Sequence, residues 1–176
     1  MALIPTNMNE KRKTQITVIG DSKPELETER IALEVGEMIG KLGAIAITGG
    51  RGGVMKAVAK GIDKAGGICV GILPTNEFSE SNAYNHIVIP TDIGHARNSI
   101  TVMAGDLVIA IGGGAGTLSE ISFAWIYGKT VFAYEGSEGW SKALANQRLD
   151  EKRRDQIIGF KSVSELEKKI KPLIRR

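Results

Sequence analysis

Apolar residues fall along this chain in short unbroken runs, separated by longer stretches with helical periodicity. The runs are ITVIG at 16–20, AIAIT at 44–48, ICVGIL at 68–73, DLVIAI at 106–111 and TVFAY at 130–134, with a weaker sixth, HIVIP, at 86–90. They are continuous rather than alternating, as strands covered on both faces should be. Between them, 24–42 begins at Pro24, spaces Ile31, Leu33, Val35, Met38, Ile39 and Leu42 for a helix, and ends at Gly43. Residues 53–65 put Val54, Ala57, Val58, Gly61 and Ile62 on one face, and 95–104 and 116–127 predict two further helices. A terminal helix is expected within 162–174, capped by Ser162 or Ser164, with Val163, Leu166, Ile170 and Leu173 on its buried side. This alternation predicts the α/β class: a single Rossmann-like domain with a doubly wound parallel sheet in three αβα layers. Right-handed crossovers place every strand C-terminus on one edge, the edge where ligands bind in such sheets. The polar segment 74–85 lies at that edge, is long for a connection, and reads as a lid. Residues 135–161 read as irregular and charged, and 1–14 as a flexible arm ahead of a domain over 15–176.

Composition narrows the function. Glycine supplies 22 of 176 residues, well above the usual ~7%, and gathers in loops rather than in a repeat. The net charge of +3 comes largely from basic runs near the ends, and aromatics are only 5%. That offers neither a basic face on a recognisable module nor a stacking platform, so nucleic acid is not the expected partner. Cys69 is the single cysteine, so it predicts a buried inert thiol, not a disulfide or a metal set. No metal and no required cofactor are predicted. No apolar stretch reaches the roughly 18–20 residues of a membrane span, and the polar start lacks a signal core, so no membrane partner and a cytoplasmic location are expected.

Two glycine-rich loops carry the chemistry. The first, GGRGGVM at 49–55, follows one strand and opens a helix; the second, GGGAGTLSE at 112–120, repeats the arrangement. Glycines let the backbone approach a ligand closely, and free N–H groups at a helix N-terminus favour an anion. Gly49, Gly50, Arg51, Gly52 and Gly53 on the first loop, and Gly113, Gly114, Ala115, Gly116 and Thr117 on the second, are therefore candidate phosphate-binding residues. Arg51 offers a bidentate contact, and Thr117 a hydroxyl that caps the helix or meets a phosphate oxygen. Neither loop is a Walker loop, and GDSKPE at 20–25 is not the dinucleotide fingerprint.

Taken together these motifs resemble the LONELY GUY-like superfamily, also called SLOG or lysine decarboxylase-like. Its hallmark is Pro-Gly-Gly-x-Gly-Thr-x-x-Glu, matched here by 112–120 with Gly112 in place of proline. An Arg-Lys pair on the preceding helix of the hydrolases is matched by HARN at 95–98, where Arg97 agrees and Asn98 replaces lysine. The resemblance spans roughly 16–135, and the departures are most similar to the molybdenum cofactor carrier-type branch. It implies a protein that binds a pterin monophosphate such as molybdenum cofactor, or a nucleotide, and that forms homodimers or homotetramers.

Two other readings stay open. A nucleoside 5′-monophosphate phosphoribohydrolase would use Arg97 and Glu120 as catalytic groups, with Asn98 beside them at the ligand. A DNA-processing relative rests on fold kinship alone. His95, ahead of Arg97, and Asp21 and Ser22, after the first strand, are further candidates at the same edge; helix capping and turn formation account for them equally well.

Overall fold

The computed structural model describes residues 12–175. Its elements are β1 (Gln15–Gly20), α1 (Leu26–Lys41), β2 (Ile45–Thr48), α2 (Val54–Lys64), β3 (Ile68–Leu73), β4 (Ile87–Pro90), α3 (Arg97–Met103), β5 (Leu107–Ile111), α4 (Ala115–Ile126), β6 (Thr130–Tyr134), α5 (Trp140–Leu144), β7 (Ile158–Phe160) and α6 (Val163–Ile170). All seven strands are parallel, in the order β4-β3-β2-β1-β5-β6-β7. The three-layer doubly wound α/β fold expected from the sequence is the fold observed.

Strand residues alternate between two cores because both sheet faces are covered. Ile16, Val18, Ile109 and Ile111 pack with α1, α2 and α6, whereas Ile19, Val108 and Ala110 pack with α3 and α4. The apolar runs therefore look continuous in sequence even though their side chains point both ways.

The segment 135–161 is less irregular than the sequence suggests. It holds α5 and β7, and β7 pairs with β6 from Phe132↔Ile158 to Tyr134↔Phe160. Neither element is long enough to show a period: α5 has five residues and β7 has three. The expected terminal helix is α6, capped by Ser162, whose Oγ accepts from the Glu165 N–H at 3.2 Å. It tightens into a 3₁₀ turn over Lys171–Leu173.

Of the expected N-terminal arm, residues 1–11 lie outside the described residues. Arg12 and Thr14 are tied down. Arg12 Nη2 pairs with Asp106 at 2.6 Å, and buried Thr14 accepts at Oγ1 from the Arg175 N–H at 2.8 Å. Segment 74–85 is a brace rather than a free lid. The Asn82 N–H and Nδ2 and the Asn85 Nδ2 all donate to the Gly50 carbonyl, at 2.9, 3.0 and 2.9 Å, and Asn82 Nδ2 also reaches Arg51 O.

Helices α1 and α2 cross at backbone contact distance. A Cβ at Gly61 would collide with the Leu33 carbonyl oxygen, and one at Gly36 with that of Val58. Gly61→Ala therefore sets two effects against each other. Helix propensity favours alanine by about 0.5–1 kcal/mol, whereas overpacking costs about 1–3 kcal/mol. The clash is with backbone, which cannot rotate away, so the steric term wins. The expected result is a net loss of about 1–2 kcal/mol in urea unfolding, while alanine at exposed Gly66, where positive φ is the main constraint, leaves the helix crossing intact.

Candidate functional site

The direction of winding reverses between β1 and β5. The chain moves outward from β1 to β4, returns through α3 to pair β5 with β1, and moves outward again to β7. At this pairing Gly20 lies opposite Ile111. The loops that follow the two strands diverge there and leave a crevice, as open α/β sheets do at a switch point. The crevice is a cleft of about 360 Å³. Its walls come from Val18–Ser22 at the end of β1 and just beyond it, Gly49 and Met55 around the start of α2, His95, Arg97 and Asn98 at the start of α3, and the first turns of α4.

The β5–α4 loop has a conformation that proline cannot adopt. Gly112 has φ +64°, and its N–H donates to Ser141 Oγ at 2.7 Å. That hydroxyl donates in turn to the Tyr134 carbonyl at 2.8 Å. Proline has no N–H and fixes φ near −65°. Glycine at 112 thus permits a loop tied to the short helix α5. Trp140 N–H also donates to Gly113 O at 3.0 Å. Helix α4 starts from Gly114 as N-cap, without a side-chain cap. Its first internal bond runs from the Leu118 N–H to Gly114 O at 3.0 Å. Among the described residues the N–H groups of Ala115, Gly116 and Thr117 meet no acceptor. Gly114, Ala115 and Gly116 are exposed at the cleft wall. Orphan donors and the helix dipole coincide there, which is the arrangement that suits an oxyanion.

A buried ion pair forms one wall. Arg97 Nη1 donates to Glu120 Oε1 at 3.1 Å and to Asn98 Oδ1 at 2.9 Å. Asn98 Nδ2 donates to Ser119 Oγ at 2.8 Å, and Ser119 Oγ donates to the Gly116 carbonyl at 2.7 Å. The residue standing where the hydrolases carry lysine therefore joins α3 to the first turn of α4 and holds Arg97 in place. Arg97 and Glu120 are 8% and 7% exposed, so burial dominates both titrations. Burial pushes the Glu120 carboxyl up to about 7 against the pull of Arg97, and lowers the Arg97 guanidinium from its ordinary value. Arg97 Nε is buried with no hydrogen-bond partner. Gly49 makes room for this guanidinium, since a Cβ there would stand 2.5 Å from Nη2.

The other candidates divide between cleft and scaffold. Asp21, Ser22 and the exposed His95 line the cleft, as do Gly114, Ala115, Gly116 and Thr117. Asp21 Oδ1 accepts from the Lys23 N–H at 2.9 Å and shapes the turn before α1. On the first glycine loop, Gly49 and Met55 line the cleft and Gly50–Gly53 do not. Gly50 O is held by Asn82 and Asn85, Arg51 is exposed and pairs with Glu80 at 3.3 Å, Gly52 lies in the open, and Gly53 packs on the Asp21–Ser22 backbone. Gly113 packs under the Thr117 side chain. Sequence reasoning missed Ser119, Ser141, Asn82 and Asn85. These residues hold other residues in place, and no spacing rule marks them.

Comparison with known proteins identifies the family and the fold. A family model, the SLOG cluster4 family, matches residues 13–167. An uncharacterized protein of Archaeoglobus fulgidus is 50% identical over 117 residues, covering 66% of this chain and 77% of that protein. The structure of the molybdenum cofactor binding protein from the phototrophic bacterium Rippkaea orientalis superposes with a TM-score of 0.82 at 32% identity, covering 93% of this chain and 98% of that one. The molybdenum cofactor carrier protein of Chlamydomonas reinhardtii gives 0.80 at 28% identity, covering 92% and 98%.

The Glu120 environment sets a pH dependence. Its folded pKa of about 7 exceeds the unfolded 4.5, so the folded state holds the proton more tightly. Its stabilising share is complete below pH 4.5 and is lost as pH rises through about 7. Urea unfolding of the protein and of Glu120→Gln across this range should show the native chain losing about 3 kcal/mol relative to the variant. A difference that stays flat with pH would place the Glu120 titration elsewhere.

Proposed function

This chain belongs to the SLOG cluster4 family, and from that premise we propose that it binds a phosphate-bearing small ligand as a carrier or storage protein. The ligand class is a pterin monophosphate of the molybdenum cofactor type, or a nucleotide. The observation that carries the reading is the uncapped N-terminus of α4, with three free N–H groups opening on the switch-point cleft. The names of the two structural neighbours, a molybdenum cofactor binding protein and a molybdenum cofactor carrier protein, point the same way. Asn98 favours holding over hydrolysis, because its side chain is spent on Ser119 and Arg97 and adds no second cation to the cleft.

A phosphoribohydrolase reading has one observation in its favour. Glu120, with its carboxyl pushed up to about 7, sits at the cleft as an acid–base group within reach of neutral pH. Under that reading AMP releases ribose 5-phosphate, and Glu120→Gln abolishes the release. Under the carrier reading the purified protein binds monophosphates and releases none.

Homo-oligomerisation, as dimer or tetramer, belongs to the same proposal. Ile100 and Met103 on α3 and Ile126 on α4 are 43%, 56% and 71% exposed, on helices that pack together. Ile126→Glu should lower the mass measured by light scattering if these helices meet a second copy. No described helix is long and apolar enough to cross a membrane. The buried, unpaired Cys69 fits the reducing cytoplasm proposed as its location.

The phosphate site has a direct test. The Cβ position of Gly116 points into open space and its φ is not positive, so Gly116→Asp folds normally. An acidic side chain at this turn also suits the helix dipole. The expected result is an unchanged or slightly raised melting temperature, with affinity for nucleoside and pterin monophosphates at least tenfold weaker by calorimetry. Unchanged affinity would remove α4 from the site.

A further inference from the structure

A phosphate at α4 accounts for one end of the cleft and leaves the body of the ligand to the other walls. An aromatic ring carries its polar atoms on its edge and presents two apolar faces, and a site that holds one needs an apolar surface for a face to lie on. Few lining groups can supply that surface. Val18 and Ile19 are 0% and 2% exposed, Ala115 belongs to the phosphate end, and Asp21, Ser22 and His95 are polar. Among the described lining residues away from α4, Met55 is the one apolar side chain that is only half-buried.

Local structure holds this side chain in place. Met55 is the second residue of α2 and follows Val54, which is wholly buried. A Cβ on Gly49 would stand 2.7 Å from Met55 Sδ and 2.5 Å from Arg97 Nη2. The thioether and the guanidinium therefore share the space over one bare stretch of backbone, and glycine at 49 leaves room for both. A thioether is unbranched and polarizable, so it follows the face of a ring and makes favourable sulfur–aromatic contacts. The cleft volume of about 360 Å³ falls in the ~300–1,000 Å³ range of small-molecule sites.

We propose that Met55 is the ring-face contact of this site, so that the cleft selects monophosphates of planar heteroaromatic rings over sugar phosphates that lack such a ring. The inference rests on the phosphate site proposed for α4 and names the residue and the chemistry that read the other end of the ligand. It gives the first glycine loop a different task from the second. Gly50 and Gly53 close on protein, and the residue that the loop delivers to the cleft is Met55. Loss of the sulfur–aromatic contact and of the apolar burial together weakens binding roughly tenfold when the side chain is truncated.

The experiment titrates the full chain with inorganic phosphate, ribose 5-phosphate, AMP, GMP and the phosphate ester of 6-hydroxymethylpterin, by calorimetry and by amide shifts at Ala115–Thr117. The expected result is that at least one ring-bearing ligand binds about tenfold or more tightly than ribose 5-phosphate. Met55→Ala, and the polar but similarly shaped Met55→Gln, should cut that advantage to about twofold or less. Met55→Leu keeps the apolar volume and should stay within about twofold of the native advantage. Inorganic phosphate and ribose 5-phosphate should bind all three variants as they bind the native chain. An advantage that survives Met55→Ala overturns the inference. So does an equal weakening of inorganic phosphate in that variant, because Met55 would then act through the fold. Binding of inorganic phosphate at α4 with no advantage for any ring-bearing ligand overturns it too, and leaves the phosphate site standing. If neither phosphate nor any monophosphate binds, both readings fall together.

Discussion

The parallel pairing of β1 with β5 governs this molecule. Because the winding reverses there, Gly20 and Ile111 end side by side while their loops diverge, and the crevice between those loops is the cleft. Most of what lines it arrives through this constraint, with Gly49 and Met55 added from the β2–α2 connection. Segment 20–22 comes directly from β1 and the α4 N-terminus from β5. Arg97 and Asn98 come from α3, the connection that returns the chain from β4 to β5. The described lining residues all come from this one sheet and its connections.

The buried pair Arg97–Glu120 belongs to the same frame. Two charges removed from water are expensive, and their attraction offsets that cost only with good geometry and added hydrogen bonds. Here the bonds to Asn98, Ser119 and the Gly116 carbonyl supply part of that compensation, and burial still raises the carboxyl. A pair this buried at the cleft has its electrostatics set by protein groups. It also gives one wall two faces, a saturated one toward α4 and an unsaturated one at Nε.

Much of this was legible in the sequence, for identifiable reasons. Strands β1, β2, β3, β5 and β6 are covered on both faces, so they appear as apolar runs, and α1 and α2 keep strict faces because they cross tightly. Gly114–Thr117 could be read because a strand-to-helix turn rich in glycine leaves few alternatives. What could not be read depends on tertiary contact. Helix α5 and strand β7 are too short to show a period. The lid expected at 74–85 is a brace because two asparagines meet Gly50 O, a contact 32 to 35 positions apart in sequence. The first glycine loop resembled the second in composition, yet Gly53 serves chain packing against Asp21 and Ser22. Glycine content reports that backbone comes close to something, but not whether that is a ligand or more protein.

The tether from Gly112 through Ser141 to Tyr134, with the two asparagines on Gly50, also bears on kinetics. The tether fixes the β5–α4 wall through protein groups, and the asparagines fix the loop beside the cleft, so a guest of the proposed kind would meet both as they stand. Association then carries no penalty for ordering a loop, and the encounter rate should vary little from one guest to another. Differences in residence time fall to the departure step, and a wall that does not need to open sets that step by contacts alone.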